Sequence, residues 1–423
     1  MWESLRKFGL EYCDLPTITW NVSIMLRVLT LNIDPRNKKP IPKIFYIITL
    51  TVAACYFYVY LISMLWFVFW KCRETGDFTA AIIVLSLGIT SEIGTAKLIF
   101  MMIYRYKIRK IVELYLECDS QVKPGSRFFL NMMKALRNVK KRAMIFWLVI
   151  IGNGVVYIVK PAVTPGKHLM EDVFTLYGLE PSTESPNHEI SFLLMSLGTV
   201  HTCYIPANIS AFLIIAIGYN EAQMLALSEE VLNIWNDALR YLDDHTITDI
   251  SVNSNDQLST VYQTRSENIN KHDIINEFIE TRLREIVKIH VTNINLVQQM
   301  EQVLRGAIVV EFILLIIGLI LELLCGLEKT YIQVPFALMQ VAMDCWAGQR
   351  LVDASIMFEK SVYACKWENF NLKNMKTVLL VSVLSQKTMT LSAGGVTKLS
   401  FSSLMMVLRS IYSAYTALRP TMS

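Results

Sequence analysis

The chain has 423 residues, 53% of them hydrophobic and 18% charged, with a formal net charge of +4. Soluble domains carry about a quarter charged residues. Here, apolar runs of twenty or more residues recur along the chain, each long enough to cross about 30 Å of hydrocarbon as a helix. A water-soluble enzyme is excluded, and the slight positive charge gives no sign of a nucleic-acid partner.

Residues 1–43 show no apolar stretch followed by a small-residue cleavage site, so no removable signal is expected and the segment reads as cytosolic. Hydropathy then predicts an all-α polytopic membrane protein with seven spans, at 44–70, 78–104, 143–159, 190–219, 306–327, 331–352 and 396–418. An eighth apolar patch, 378–384, is too short to cross and reads as a cytosolic or interfacial helix. Basic residues set the orientation. Arg36, Lys38, Lys39 and Lys43 precede the first span; Arg105, Lys107, Arg109 and Lys110 follow the second; Lys140, Lys141 and Arg142 precede the third. On the other side Lys71, Arg73, Lys160, Lys167, Lys329 and Arg419 are mostly balanced by acids. The N-terminus is therefore expected inside and the tail 419–423 outside. A G-protein-coupled receptor has the opposite topology, and the triplet Asp-Arg-Tyr after the third span and the text Asn-Pro-x-x-Tyr in the last are both missing.

The spans 44–219 are interrupted by an outer loop, 160–189, that carries Glu171, Asp172, Glu180, Glu184 and Glu189 and four prolines. A loop this long over a helical bundle is either a lid or a solvated spacer. Segment 220–305 holds fourteen acids against seven basic residues. Met224, Leu227, Val231, Ile234, Ala238 and Leu242 continue a helical stripe out of the fourth span. Ile275, Ile279, Leu283, Val287, Ile294, Val297 and Leu304 repeat it into the fifth, with His290 on the seam. The polar stretch 251–270 between them reads as a flexible loop. Two membrane helices are thus expected to extend about 30 Å into the cytosol. Together with 353–395 they form an anchor that packs within one subunit or between subunits. Spans 306–352 and 396–418 complete the division of the chain.

The C-terminal text MFEKSVYACKWENFNLKNMKTVLLVSVLSQKTMTLSAGGVTKLSFSSLMMVLRSIYSAYTAL resembles the signature of insect odorant receptors. The matching positions are Ser361, Tyr363, Trp367, Lys376, Gln386, the turn Leu391-Ser392-Ala393, and Ser410, Tyr412, Ser413 and Tyr415. Lys387-Thr388 departs from the pattern, since many members have a proline nearby. TLYGLEPSTESPNHEISF, CYIPANISAFL and GYNEAQMLALSEEV look like the moth sex-pheromone receptor branch. The resemblance implies the ligand-tuning subunit of a heterotetrameric, ligand-gated, non-selective cation channel built with the odorant receptor co-receptor. Its place would be the plasma membrane of olfactory sensory neurons. Its ligand would be a volatile apolar molecule such as a long-chain acetate, aldehyde or alcohol, and the last span would line the pore. A gustatory receptor shares this topology and is separated by the C-terminal text alone. A metabotropic chemoreceptor is disfavoured by orientation, and a transporter by the lack of internal repeats.

Under the outer loop, the second span offers Phe78, Ile82, Leu85, Ser86 and Ile89, and the third offers Ile150, Gly154 and Tyr157. The fourth adds Met195, Gly198, Thr199 and Cys203, and the sixth Tyr331, Val334, Phe336 and Gln340. The resemblance puts the odorant pocket among these spans, where burial would hold an apolar ligand and one or two polar groups would fix its head. Plain helix packing is the better account of any single residue, and the pocket the better account of the cluster as a whole. Charges inside spans call for partners: Glu92, Lys97, Glu311, Glu322, Asp344 and Arg409. Arg409 is expected to pair with Asp344 or Glu311. Tyr412, Ser413, Thr416 and Ala417 fall in the outer part of the last span, where the resemblance places the pore and its gate. No nucleophile–base–acid set, phosphate loop or metal-ligand spacing occurs, so neither an enzyme nor a cofactor is expected.

Overall fold

The computed structural model describes residues 6–252 and 262–421. After a short leading segment, helix α1 (Leu15–Val28) starts where the Asp14 carboxylate accepts from the Thr17 amide at 2.9 Å, with proline in the first turn. Helix α2 (Lys43–Thr75) passes through two stretches of wider π turns, at Tyr58–Ser63 and Phe67–Lys71. It ends at Gly76, whose φ of +70° suits a residue without Cβ. Asp77 then caps α3 (Phe78–Ile103). Helix α4 (Arg105–Ser120) follows directly, and Ser126 caps α5 (Arg127–Val163). The two longest helices are α6 (Asn187–Val252) and α7 (Tyr262–Cys325). After a single turn come α8 (Gln333–Tyr363) and α9 (Leu372–Ser385), then a two-residue antiparallel hairpin of β1 (Ser392–Ala393) and β2 (Thr397–Lys398), and last α10 (Phe401–Leu418).

Among the described residues, five helices are long and apolar enough to cross a membrane: α2, α3, α5, α6 and α7. The sixth and seventh expected spans fall on α8 and α10. The expected third, fourth and fifth spans are sections of much longer helices, because their apolar stripes run on past the hydrocarbon-length section. The seventh starts at Phe401 and not at 396, since Gly394 and Gly395, at φ +65° and +80°, close the hairpin first. Of the polar stretch 251–270 expected as a loop, the parts up to Val252 and from Tyr262 are helical; 253–261 lie outside the described residues.

Helix α6 is the axis of the bundle: 83% of its most apolar stretch is buried, against 28% for α5 and 33% for α2. Its approach to α3 depends on a missing side chain, for a Cβ on Gly94 would lie 2.8 Å from the Pro206 ring. The stripes read from the sequence meet at the end of the bundle away from loop 160–189, where Leu227, Val231, Ile234, Ile279 and Leu283 are all buried. His290 stacks on Phe358 of α8 with ring centres 4.6 Å apart. Charge holds the rim: Arg127 reaches Glu230 at 2.8 Å and Asp237 at 2.6 Å, and Arg282 reaches Glu230 at 2.7 Å. Helix α9 is fixed by Asn374, which donates to the Asn276 carbonyl at 2.9 Å.

Candidate ligand site

The outer loop is packed, not solvated. Leu169, Met170, Phe174 and Leu176 are buried in a cluster with Tyr56, Tyr60, Met64 and Phe67 of α2. An ion pair of 2.8 Å between Lys71 and Glu180 ties it to the end of α2, and the Asp172 carboxylate holds His168 at 2.8 Å. Beneath it lies a cavity of about 40 Å³ lined by α2, α3, α5, α6 and the start of α8.

Its walls are weakly polar and largely self-satisfied. The Thr199 hydroxyl donates to the Met195 carbonyl at 2.9 Å, so Tyr60, 3.2 Å away, is the donor to Thr199. Thr90 donates to the Ser86 carbonyl, Thr202 to that of Gly198, and the Asn153 amide to Ile332 at 3.0 Å. At the mouth, Glu171 comes down from the loop and accepts from Tyr157 at 3.2 Å and Gln333 at 2.9 Å. Burial pushes the Glu171 carboxyl above its usual range. Gln333 Oε1 is left buried without a partner among the described residues. A mostly apolar chamber with one open acceptor at a clasped mouth suits an apolar ligand with a small polar head. Pockets for such ligands measure about 300–1,000 Å³, so this one must widen to take a long chain.

Of the expected residues, Gly154, Tyr157, Thr199, Cys203 and Phe336 line the cavity. A Cβ on Gly198 would lie 2.8 Å from the Tyr60 ring, and Met195 is buried beside that ring in the same cluster. The second-span set lies beside the cavity and not on its wall. Leu87, Thr90 and Ser91 face the cavity, while Ile82, Leu85, Ser86 and Ile89 lie on the adjoining face and Phe78 is exposed at the helix start. One residue along a helix is about 100° of rotation, and α3 is too evenly apolar for its sequence to fix that angle. Ile150 belongs to the main core, Tyr331 is exposed, Val334 is half-buried, and Gln340 is fully buried away from the cavity. Tyr60, Asn153, Thr202, Gln333 and the loop's Glu171 were not expected here. The alternating Tyr56, Tyr58 and Tyr60 in the first span were the available signal for Tyr60.

The expected Arg409 pairing requires correction. Asp344 and Glu311 close on Lys97 instead, at 3.2 and 2.7 Å, and Ser210 accepts from the same ammonium at 2.8 Å. Lys97 is 1% exposed and sits between α6, α7 and α8, whereas Arg409 is exposed on α10. Two buried carboxylates take the cation already inside the bundle. Glu322 is fully buried, and Glu92 is half-buried. Tyr412, Ser413, Thr416 and Ala417 are exposed with Arg409; α10 buries only Ser403 and Ile411.

A family model described as 7tm Odorant receptor matches residues 77–412, well over half of the chain. The chain belongs to the odorant receptor family. It is a family of receptors and not of enzymes. Among solved structures, the insect olfactory receptor OR5 from Machilis hrabei matches with a TM-score of 0.73 at 11% identity, covering 96% of this chain and 99% of that one. The same receptor in complex with eugenol matches with a TM-score of 0.70 at 11% identity, covering 96% of this chain and all of the other. At that identity the likeness is one of fold. No curated protein matches the chain.

Proposed function

We propose that this odorant receptor is the ligand-tuning subunit of a heteromeric, ligand-gated, non-selective cation channel. It would assemble with the odorant receptor co-receptor in the plasma membrane of olfactory sensory neurons. The observation that carries the reading is the pairing of a clasped, largely apolar chamber with a last helix that the single chain leaves uncovered. In the chamber, Gly154, Tyr157, Thr199, Cys203 and Phe336 would bind a volatile ligand, and the pheromone-like text points to a long-chain acetate, aldehyde or alcohol. The Machilis hrabei receptor solved with eugenol supports a small organic ligand for this fold. In α10, Arg409, Tyr412, Ser413, Thr416 and Ala417 would face the pore. Leu372, Leu379, Leu380 and Val383 on α9 are exposed and apolar, as an anchor between subunits requires.

The test is whole-cell current on applying long-chain acetates, aldehydes and alcohols, with and without the co-receptor and with G-protein signalling blocked. A fast, weakly selective cation current that needs both subunits is expected. A response abolished by the G-protein block would overturn the channel reading.

A further inference from the structure

A second cavity, of about 320 Å³, lies between α1, α5 and α6, separated from the ligand chamber by about a turn and a half of α5 and α6. Its walls include Val22 and Met25 of α1, Met144 and Trp147 of α5, and Ala211 and Ile215 of α6. It runs from Lys140 to Leu148, about 12 Å of helix rise. In the orientation proposed above, which this inference adopts, that is the depth of the inner leaflet. Leu148 at the rim is 59% exposed, so the cavity opens toward lipid.

The polar groups at its inner end decide what fits. An ammonium has three donors, and Lys140 uses all three, on the carbonyls of Lys7 at 2.9 Å, Gly9 at 2.7 Å and Tyr12 at 2.6 Å. The Trp147 indole donates to Asn208 Oδ1, and the Asn208 amide to the Tyr204 carbonyl. The Asn21 amide donates to the Lys7 carbonyl at 2.9 Å. One atom is left over: Asn21 Oδ1, on a side chain 94% buried, has no partner among the described residues. With the cation's three donors already placed and the unpartnered atom an acceptor, an anionic headgroup would set its own lone pairs against that oxygen. A neutral hydroxyl does, and it relieves a buried acceptor whose isolation is costly.

We propose that this cavity is a site for a neutral, hydroxyl-headed amphiphile of the inner leaflet, whose hydroxyl donates to Asn21 Oδ1 and whose apolar body lies against Trp147 and Met144. A membrane sterol and a free long-chain alcohol share this chemistry. The full-length receptor in cell membranes is irradiated with a photoreactive cholesterol and, separately, a photoreactive hexadecanol, each beside its O-methyl ether. At least one hydroxyl probe is expected to label residues 140–148 or α1 about fivefold above its ether, the equivalent of one neutral hydrogen bond of about 1 kcal/mol; whichever does so names the source. Asn21→Leu removes the acceptor, and Ala211→Leu fills the cavity without touching any of these hydrogen bonds. Each is expected to lower labelling about fivefold at matched surface level. Equal labelling by the ethers, adducts confined to other helices, or labelling that survives Ala211→Leu would overturn the proposal. None of these readouts depends on channel current, so failure here is distinct from failure of the channel reading.

Discussion

Gly154 offers a direct test of the ligand chamber. It lies in mid-helix on α5 facing α6, and a Cβ built there would sit 2.7 Å from Cys203 Sγ and 3.1 Å from its Cβ. Gly154→Ala therefore pushes Cys203 into a chamber of only about 40 Å³. The helix itself tolerates the change, since alanine is the better helix former by about 1 kcal/mol. A ligand that gives up one or two buried methylene contacts loses about 0.8 kcal/mol for each. At tenfold per 1.4 kcal/mol, the half-activating concentration should rise about 4- to 15-fold. Cys203→Ala removes the sulfur, so the double variant Gly154→Ala/Cys203→Ala should return sensitivity close to that of the parent. The assay is concentration–response of ligand-evoked current at matched surface expression. If Gly154→Ala leaves the response curve in place, or if Cys203→Ala fails to restore it, the chamber is not where the ligand sits.

Three further outcomes follow from the geometry. Lys97→Met leaves Glu311 and Asp344 buried without their cation, a loss of about 3–5 kcal/mol; at about 2.1 cal/mol/K per residue, the melting temperature in detergent should fall by about 3–6 °C. Replacing all three by Met, Gln and Asn should recover most of that fall, and a single variant as stable as the parent would refute the pairing. Glu171→Ala frees Tyr157 and Gln333 at the mouth, so current should decay about fivefold faster after washout, as expected for a lost hydrogen bond of about 1 kcal/mol; unchanged decay would show that the loop does not gate release. Asp119 lies outside the spans, and burial, with the nearby Asp14 charge, raises its carboxyl to about 6. A carboxylate raised in the fold contributes stability that is complete below its unfolded value near 3.8 and lost as pH rises through about 6. The melting temperature should therefore climb from pH 7 to pH 5 in the parent and climb less in Asp119→Asn.

What the sequence disclosed, and what it withheld, has a physical pattern. Periodicity located the helical extensions of α6 and α7 because Leu227, Val231, Ile279 and Leu283 alternate with charged residues, and that contrast fixes which face is buried. In α3 the contrast is missing, so Ile82, Leu85, Ser86 and Ile89 were chosen where Leu87, Thr90 and Ser91 line the chamber. Hydropathy found the five helices long and apolar enough to cross a membrane but not where each ends, for transfer energy is blind to a helix continuing past the apolar section. The Lys97 cluster joins residues more than two hundred positions apart. Depth counting could rank Asp344 against Glu311 for Arg409, yet it carries no angular information. Glu171 stood out in the sequence merely as one acid of several in a long loop; the fold alone brings it over Tyr157.

Helix α8 gives these pieces a mechanical relation. Its first turns place Gln333 and Phe336 at the chamber, its middle places Asp344 on Lys97, and below that Gly348 fits against Leu399 at the end of the hairpin. The Gln349 side chain accepts from the Phe401 amide at 3.3 Å, the first residue of α10. One rigid helix thus touches the chamber wall, the buried charge cluster and the foot of the exposed last helix. A shift of Phe336 at the chamber wall would act on the same helix that, about a turn past the Asp344–Lys97 pair, seats α10. A close-packed interior transmits such a shift instead of absorbing it. The cluster's expense in desolvation is then intelligible, since a cation shared by α7 and α8 resists sliding where an apolar contact yields.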